Sequence, residues 1–279
     1  MIEPFQLLES QTSIAPLGVK FWDVSTGAHV RGGLRVIAYP DGHTHHYTHA
    51  AANRSGAYVF HRAWGLSESP VTSRRYTILI HDQERRYLPV KFEADFPTTG
   101  LFQWPSSRPR TLMDPLDGSV PLYPSILSHD TAGMAVLRAE LHESSGGKRA
   151  AWAMIEARFN GQLIGRGIAD EQGRIALVFP YPPPQDSLSS PAGGVTTRLP
   201  FLKQEWTVQL QAFYEPAGLS SAPGSTRADR SVPALNDVFN QAPANVFPDQ
   251  ALTEPLTEVN LMYGPNPAPL SILFVSPAN

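Results

Sequence analysis

Residues 163–179, LIGRGIADEQGRIALVF, constrain the fold more than any other stretch of this chain. An apolar run leads into Asp170-Glu171-Gln172-Gly173 and a second apolar run leaves it. This is the pattern of strand, tight turn, strand. Asp opens such a turn by accepting hydrogen bonds from the backbone that follows it, and Gly supplies a positive φ at no steric cost. The same device stands earlier as Asn53-Arg54-Ser55-Gly56, followed by Ala57-Tyr58-Val59-Phe60. Each copy is preceded by a matching turn, Asp23-x-Ser25-Thr26-Gly27 and His142-x-Ser144-Ser145-Gly146. The two glycines lie 29 residues apart in the first copy (27 to 56) and 27 in the second (146 to 173), and each later turn feeds a strand ending in Val-Phe. Like features in the same order at near-equal spacing predict two copies of one small β-sandwich.

Strand and turn signals fill in both copies. In the first, strands are expected at 17–24, with Val19, Phe21 and Trp22 as core candidates, and at 33–39, 56–63, 75–81 and 87–96. Pro89 marks the last as an edge or a bulge. A polar loop at 40–53 separates the second and third. In the second copy, strands are expected at 135–141, 151–159, 163–179 around the turn, 205–214, 256–262 and 270–275, with an Asn160-Gly161 hairpin and a helical turn at 234–239. The chain has 27 Pro and 21 Gly in 279 residues, which limits long helices. The expected division is an N-terminal arm at 1–15, a first sandwich at 16–96, a Pro-rich linker at 97–132, and a second sandwich at 133–279. The second sandwich carries long loops at 181–204 and 215–250. Leu101, Phe102, Trp104, Leu112, Leu122 and Tyr123 predict that the linker lies along a surface rather than swinging free. The class is all-β: two small Ig-like, transthyretin-like sandwiches with long Pro-rich irregular segments.

Bulk composition narrows the function classes. A formal charge of −3 argues against a nucleic-acid surface at whole-chain level. The absence of cysteine removes disulfides, thiolate nucleophiles and cysteine metal knuckles. No apolar run is long enough for a membrane-spanning helix. The opening MIEPFQLLESQ has neither a basic n-region nor an apolar h-region, so the expectation is a cytoplasmic protein without direct membrane insertion.

Candidate chemistry centres on His43, His45, His46 and His49. On a strand, His43, His45 and His49 share a face, as three imidazole ligands of a divalent metal require. That arrangement would make a His-metal hydrolase or dioxygenase-like enzyme, although the nearest acid, Asp41, stands in a turn. The other reading is a solvated His-rich loop at a subunit contact. Of the carboxylate pairs, Asp114 with Asp117, Asp170 with Glu171 and Glu254 with Glu258 all stand in turn-like or Pro-flanked settings, where carboxylates serve backbone hydrogen bonding. No nucleophile elbow, P-loop, zincin or dinucleotide fingerprint occurs. His142-Glu143 lacks the second His of a metalloprotease. Arg74-Arg75 and Arg85-Arg86 read as strand ends. The five Trp residues suggest a carbohydrate- or receptor-binding tail module, but Trp152 and Trp206 are expected in the cores. No catalytic residue and no cofactor are assigned. Asp23, Gly27, Asn53, Gly56, Asp170 and Gly173 are assigned as structural turns.

The motif LIGRGIADEQGRIALVF resembles the strand–turn–strand of transthyretin-like, carboxypeptidase-regulatory-type β-sandwiches. A longer resemblance runs through LGVKFWDVSTGAHVRGGLRVIAYP, NRSGAYVFHRAWGL, YTILIHDQERRYLPVKFEADFP, GMAVLRAELHESSGGKRAAWAMIEARF and GIADEQGRIALVFPYPPP. It is similar to structural components encoded among the sheath, tube and baseplate genes of bacterial contractile injection systems. That resemblance implies a non-enzymatic assembly protein, a ring-forming adaptor at the cap end of sheath and tube, whose partners are sheath, tube or cap proteins and itself as a six-fold ring. The uncharged segment LSILFV at 270–275 must then be paired at home or with a neighbour.

Overall fold

A computed structural model describes residues 15, 17–43, 45–61, 73–97, 100–111, 113–115, 117–128, 133–181, 205–219, 231–247, 250–253 and 271–278. Residues 1–14 of the expected N-terminal arm, Trp64, residues 182–204 of the expected loop and the strand expected at 256–262 lie outside those residues. The fold is all-β, with one short α-helix among the described residues.

The first sandwich is built from β1 (Leu17–Val19), β2 (Phe21–Asp23), β3 (Ala28–His29), β4 (Leu34–Pro40), β5 (Thr48–His49), β6 (Ala51–Ala52), β7 (Tyr58–Phe60), β8 (Arg74–Asp82), β9 (Val90–Phe96) and β10 (Val120–Leu122). The second is built from β11 (Met134–Glu143), β12 (Met154–Phe159), β13 (Gln162–Ile168), β14 (Arg174–Pro180), β15 (Glu205–Phe213), α1 (Leu235–Asn240), β16 (Pro243–Val246), β17 (Gln250–Thr253) and β18 (Ser271–Val275).

The duplication is visible in topology. One sheet of the first sandwich has the order β5-β4-β8-β9, and its counterpart in the second has β13-β12-β15-β16. On the facing side β1 pairs antiparallel with β7, as β11 does with β14. Each sandwich is then completed by a strand parallel to one near its start: β10 beside β2 and β18 beside β11. These two closing strands come late in the sequence of their modules, after Pro-rich stretches.

Several elements differ from expectation, each for a physical reason. The strand expected at 17–24 divides at Lys20, because β1 bonds to β7 while β2 bonds to β10 and β3. Val19 and Phe21 are nevertheless buried as expected. The expected loop at 40–53 contains the short strands β5 and β6. The stretch at 163–179 is strand, turn, strand as expected, but its two strands lie in different sheets. β13 belongs to the sheet of β12, β14 to that of β11, and only the bridge Ala169–Ile175 joins them across the turn. The chain therefore turns a corner between two facing sheets. Gly165 and Gly167 make that possible: a Cβ at Gly165 would stand 2.5 Å from the Phe179 Cβ, and one at Gly167 would stand 3.2 Å from the Leu177 Cα.

The linker reading of 97–132 is corrected most. Phe102 N–H donates to Gly18 O at 2.7 Å and Val120 N–H to Lys20 O at 2.9 Å, so this segment pairs with the first sandwich. Trp104, Val120, Leu122 and Tyr123 are buried in its core. That core also takes Trp152, Met154, Ile168, Phe213, Val232, Leu235, Val238 and Phe239 from the second half of the chain. The helical turn expected at 234–239 in the 215–250 stretch is α1, and it packs on the first sandwich, against β9. Rings carry the contact across: Phe92 to Trp104 at 6.1 Å, Trp104 to Phe239 at 5.9 Å and Phe239 to Tyr123 at 6.2 Å.

Replacing Gly165 with Val forces the two facing sheets of the second sandwich apart. The expected loss is about 2–3 kcal/mol in denaturant unfolding, typical of overpacking. Gly32→Ala, at a site with nothing within 4 Å of the added Cβ, is expected to change stability by less than about 0.5 kcal/mol.

Candidate functional site

Polar side chains concentrate in the turns and at the seam where the two sandwiches meet. The two expected turns are bonded identically. Asn53 Oδ1 accepts from the N–H of Ser55 and Ala57, both at 3.0 Å, while Gly56 N–H donates to Asn53 O at 3.0 Å. Asp170 Oδ1 accepts from Gln172 N–H at 2.8 Å and Arg174 N–H at 2.9 Å, and Gly173 N–H donates to Asp170 O at 2.9 Å. Gly56 and Gly173 have φ of 80° and 74°. Asp23 accepts from Ser25 N–H and from the hydroxyls of Ser25, Thr26 and Tyr87, and Gly27 has φ of 70°.

A third turn of this type escaped the sequence reading. Asp82 accepts the N–H of Glu84 at 3.4 Å and of Arg86 at 2.5 Å, and Arg86 Nη2 donates to Asp82 Oδ1 at 2.9 Å. Arg85 occupies the glycine position at φ 58°, and a search keyed on Gly misses it. The signal that finds it is the spacing Asp-x-x-x-Arg, shared by Asp82/Arg86 and Asp170/Arg174, whose Arg174 Nη2 lies 2.8 Å from Asp170 Oδ2. Burial pushes the Asp82 carboxyl up, but the Arg86 guanidinium and the turn N–H groups outweigh it and hold the carboxyl below its usual range.

Both Asp-Arg turns open onto one cleft of about 420 Å³ at the seam. Leu88, Pro89, Trp152 and Val232 form its apolar wall, with Arg85, Glu171 and Arg174 among the charged residues lining it. Trp152, like Arg85, holds a positive φ, at 62°. Its carbonyl accepts from Gln241 Nε2 at 2.9 Å.

A buried ion network joins the second sandwich to the segment that follows the first. Arg166 Nη2 donates to Glu156 Oε1 at 2.9 Å and to Pro109 O at 2.8 Å, and its Nη1 lies 3.8 Å from Asp114 Oδ2. Both the Glu156 and Arg166 side chains are almost wholly buried, at 1% and 2% exposure. Burial works against the Arg166 charge, but the Tyr123 hydroxyl, Glu156 and Asp114 outweigh it and raise its pKa. Arg108 bonds the carbonyls of Phe239 and Gln241 and stacks 4.0 Å over the Phe213 ring. Its burial lowers its pKa.

Asp114 and Asp117 do not form an acid–base pair. Asp114 accepts Thr111 N–H at 2.7 Å, and Asp117 accepts Ser119 N–H and hydroxyl and lies 3.2 Å from His29 Nε2. Glu254 and Glu258 lie outside the described residues. Arg75 reaches Glu93 and Asp95 across the outer face of the first sandwich. No group of three His, Asp or Glu among the described residues is placed to hold a metal ion. His43, His45 and His49 are therefore not gathered as ligands; the His43 and His46 rings lie 6.0 Å apart, and the His49 ring lies 5.3 Å from that of Tyr47. Trp152 and Trp104 are buried and Trp22 is half-buried, donating from Nε1 to Met113 O at 2.6 Å. Among the described residues no helix is long and apolar enough to cross a membrane.

No protein-family model and no curated protein matches the chain. Among solved structures it is similar to two variants of the shaft pilin SpaA from Lactobacillus rhamnosus GG, at 9% and 8% identity. The alignments cover 94% and 96% of this chain and 98% and 99% of the pilin, with a TM-score of 0.25 for each. A TM-score that low carries no weight for fold or function.

Removing one partner of the buried pair, as in Arg166→Met, leaves the buried Glu156 carboxylate with only the partly exposed Arg158, whose Nη2 donates to Glu156 Oε2 at 2.8 Å. Unfolding in denaturant is expected to show a loss of about 3–5 kcal/mol, with the double variant Glu156→Leu/Arg166→Met recovering most of it. For Asp82 the folded pKa lies below the unfolded one. Its stabilisation is therefore complete above the unfolded carboxylate range, about pH 4, and is lost as pH falls through the folded value. Asp82→Asn is expected to be less stable than wild type at pH 7, with the gap narrowing in acid, as read from Tm against pH.

Proposed function

We propose that this chain is a non-catalytic structural component of a larger protein assembly. The observation that carries the reading is the closing strand of the second sandwich. Among the described residues β18 is an uncharged strand at the edge of its sheet, with Ile272 57% and Phe274 58% exposed. Edges of this kind invite pairing with further chains, and a free monomer ordinarily blunts them with charge or proline. The engagement of Asp23, Asp82, Asp114, Asp117 and Asp170 with backbone and arginine supports the same view, because these carboxylates act as framework.

Within that class the resemblance of residues 17–180 to contractile-injection-system components supplies the finer proposal. The protein is a ring-forming adaptor at the cap end of sheath and tube, assembled in the cytoplasm as a six-fold ring. The turns and the shared core hold the two sandwiches as one scaffold, and the Pro-rich stretches join them.

A second reading, a receptor- or glycan-binding tail module, is favoured by the seam cleft, where Arg85 and Trp152 both adopt positive φ. Glycan-array binding lost on Arg85→Ala would support it.

Tag-free protein is expected to sediment as an oligomer, to copurify with sheath or tube proteins when co-expressed with them, and to hold no stoichiometric metal. A monomer that captures neither protein would overturn the assembly reading. Stoichiometric Zn or Fe that disappears in His45→Ala would return the enzyme reading to first place.

A further inference from the structure

The two closing strands, β10 and β18, offer an internal comparison. Val24 N–H donates to Leu122 O, and Ser144 N–H donates to Val275 O. Leu122 and Val275 are thus equivalent, as are Pro121 and Phe274 one position earlier. The next shared bond agrees, since Ser125 N–H donates to Arg86 O and Ala278 N–H to Tyr214 O.

The free sides of these strands differ. Beyond β10, Leu88 N–H donates to Tyr123 O and Tyr87 bridges Pro124, so the chain seals that side itself. Pro121, at the outward position, has no N–H to offer and is buried. In the second sandwich the residue equivalent to Leu88 is Pro216, which cannot donate, and the chain leaves in a 3-10 turn at Pro216–Gly218. The outward position of β18 is Phe274. Because Val275 faces β11, the N–H and C=O of Ile272 and Phe274 point away from the sheet. Asn245 takes only the far end of this edge, donating from Nδ2 to Phe274 O at 3.4 Å and accepting Ser276 N–H at 3.1 Å. The Ile272 N–H and C=O and the Phe274 N–H have no partner among the described residues.

We infer that this open edge is an interface between copies: β18 of one chain pairs antiparallel with β18 of a second, about a two-fold axis at Leu273. The strand is compatible with itself because it carries no charge, so two copies meet without like charges facing. An axis at Leu273 sets Ile272 against Phe274 of the other copy, twice, with both exposed apolar pairs on one face. The outward N–H and C=O groups then complete an antiparallel ladder that joins the two sheets, and the long 3.4 Å Asn245 bond is released. This contact rests on the assembly reading and adds to it. It is isologous, and so is distinct from the head-to-tail contacts that close a ring.

The test compares wild type with Ile272→Lys/Phe274→Lys by sedimentation over a concentration series, with circular dichroism to confirm the fold. Both side chains are more than half exposed, so the fold is expected to survive. The expected result is an association at least about tenfold weaker in the double Lys chain, the equivalent of about 1.4 kcal/mol. The absence of native cysteine permits a second measurement that sets the register. Ile272→Cys chains mixed with Phe274→Cys chains are expected to cross-link faster than either alone. Unchanged association in the Lys chain, or no preference for the mixed disulfide, would overturn this surface and leave the assembly reading standing. A wild-type monomer that still captures sheath or tube proteins would do the same. Dimerisation through β18 without such capture would preserve the surface and count against the injection-system role.

Discussion

A guanidinium and a carboxylate removed from water hold together only when every remaining hydrogen-bonding position is filled. That condition shapes the centre of this molecule. Glu156 and Arg166 stand on neighbouring strands of the second sandwich, yet the segment after the first sandwich supplies the Pro109 carbonyl that Arg166 donates to and the Asp114 carboxylate 3.8 Å from it. Arg108 on that segment reaches the carbonyls at the end of α1. The buried charges therefore tie three parts of the chain to one another. Such a network contributes less as net stability than as a choice of arrangement, because a displaced segment would leave a charge buried without partners.

The apolar side of the seam follows the same geometry. With 101–124 held in place, Trp104 and Tyr123 complete the first core, and α1 lies over it with Leu235, Val238 and Phe239. The two sandwiches are duplicates in topology but share a core, unlike modules strung on a tether. Gln241 links the seam to the cleft by bonding the Trp152 carbonyl, at a residue whose backbone occupies a region disfavoured for a bulky side chain. The closing strands of the two sandwiches are unequal. β10 lies between β2 and the chain after β8 and is sealed, whereas β18 comes at the outer side of the second sandwich.

Local rules made much of this legible. An Asx side chain followed three positions later by Gly announced the turns at 53–56 and 170–173, since their bonds lie within five consecutive residues. The Asp82 turn was hidden because Arg85 takes up the glycine conformation, with the Asp82–Arg86 pair reinforcing the turn. Apolar residues in 97–132 indicated that the segment docks. They did not reveal a strand at Val120–Leu122, because a three-residue strand with a central Pro has no periodicity of its own. Nor did spacing alone show whether the histidines at 43, 45 and 49 converge, which depends on the path of a loop.

The amino-acid sequence by itself determined what nearest neighbours along the chain decide: strands, turns, the repeat, and the all-β class. These depend on side-chain alternation and on φ preferences that act within a few residues. Only the tertiary structure decided which strands share a sheet, that the Pro-rich segment closes the first core, and that Glu156 meets Arg166 under the cover of Pro109. Those outcomes depend on contacts between residues far apart in the chain, where burial of apolar surface and the pairing of dehydrated charges select one arrangement from many that local preference permits.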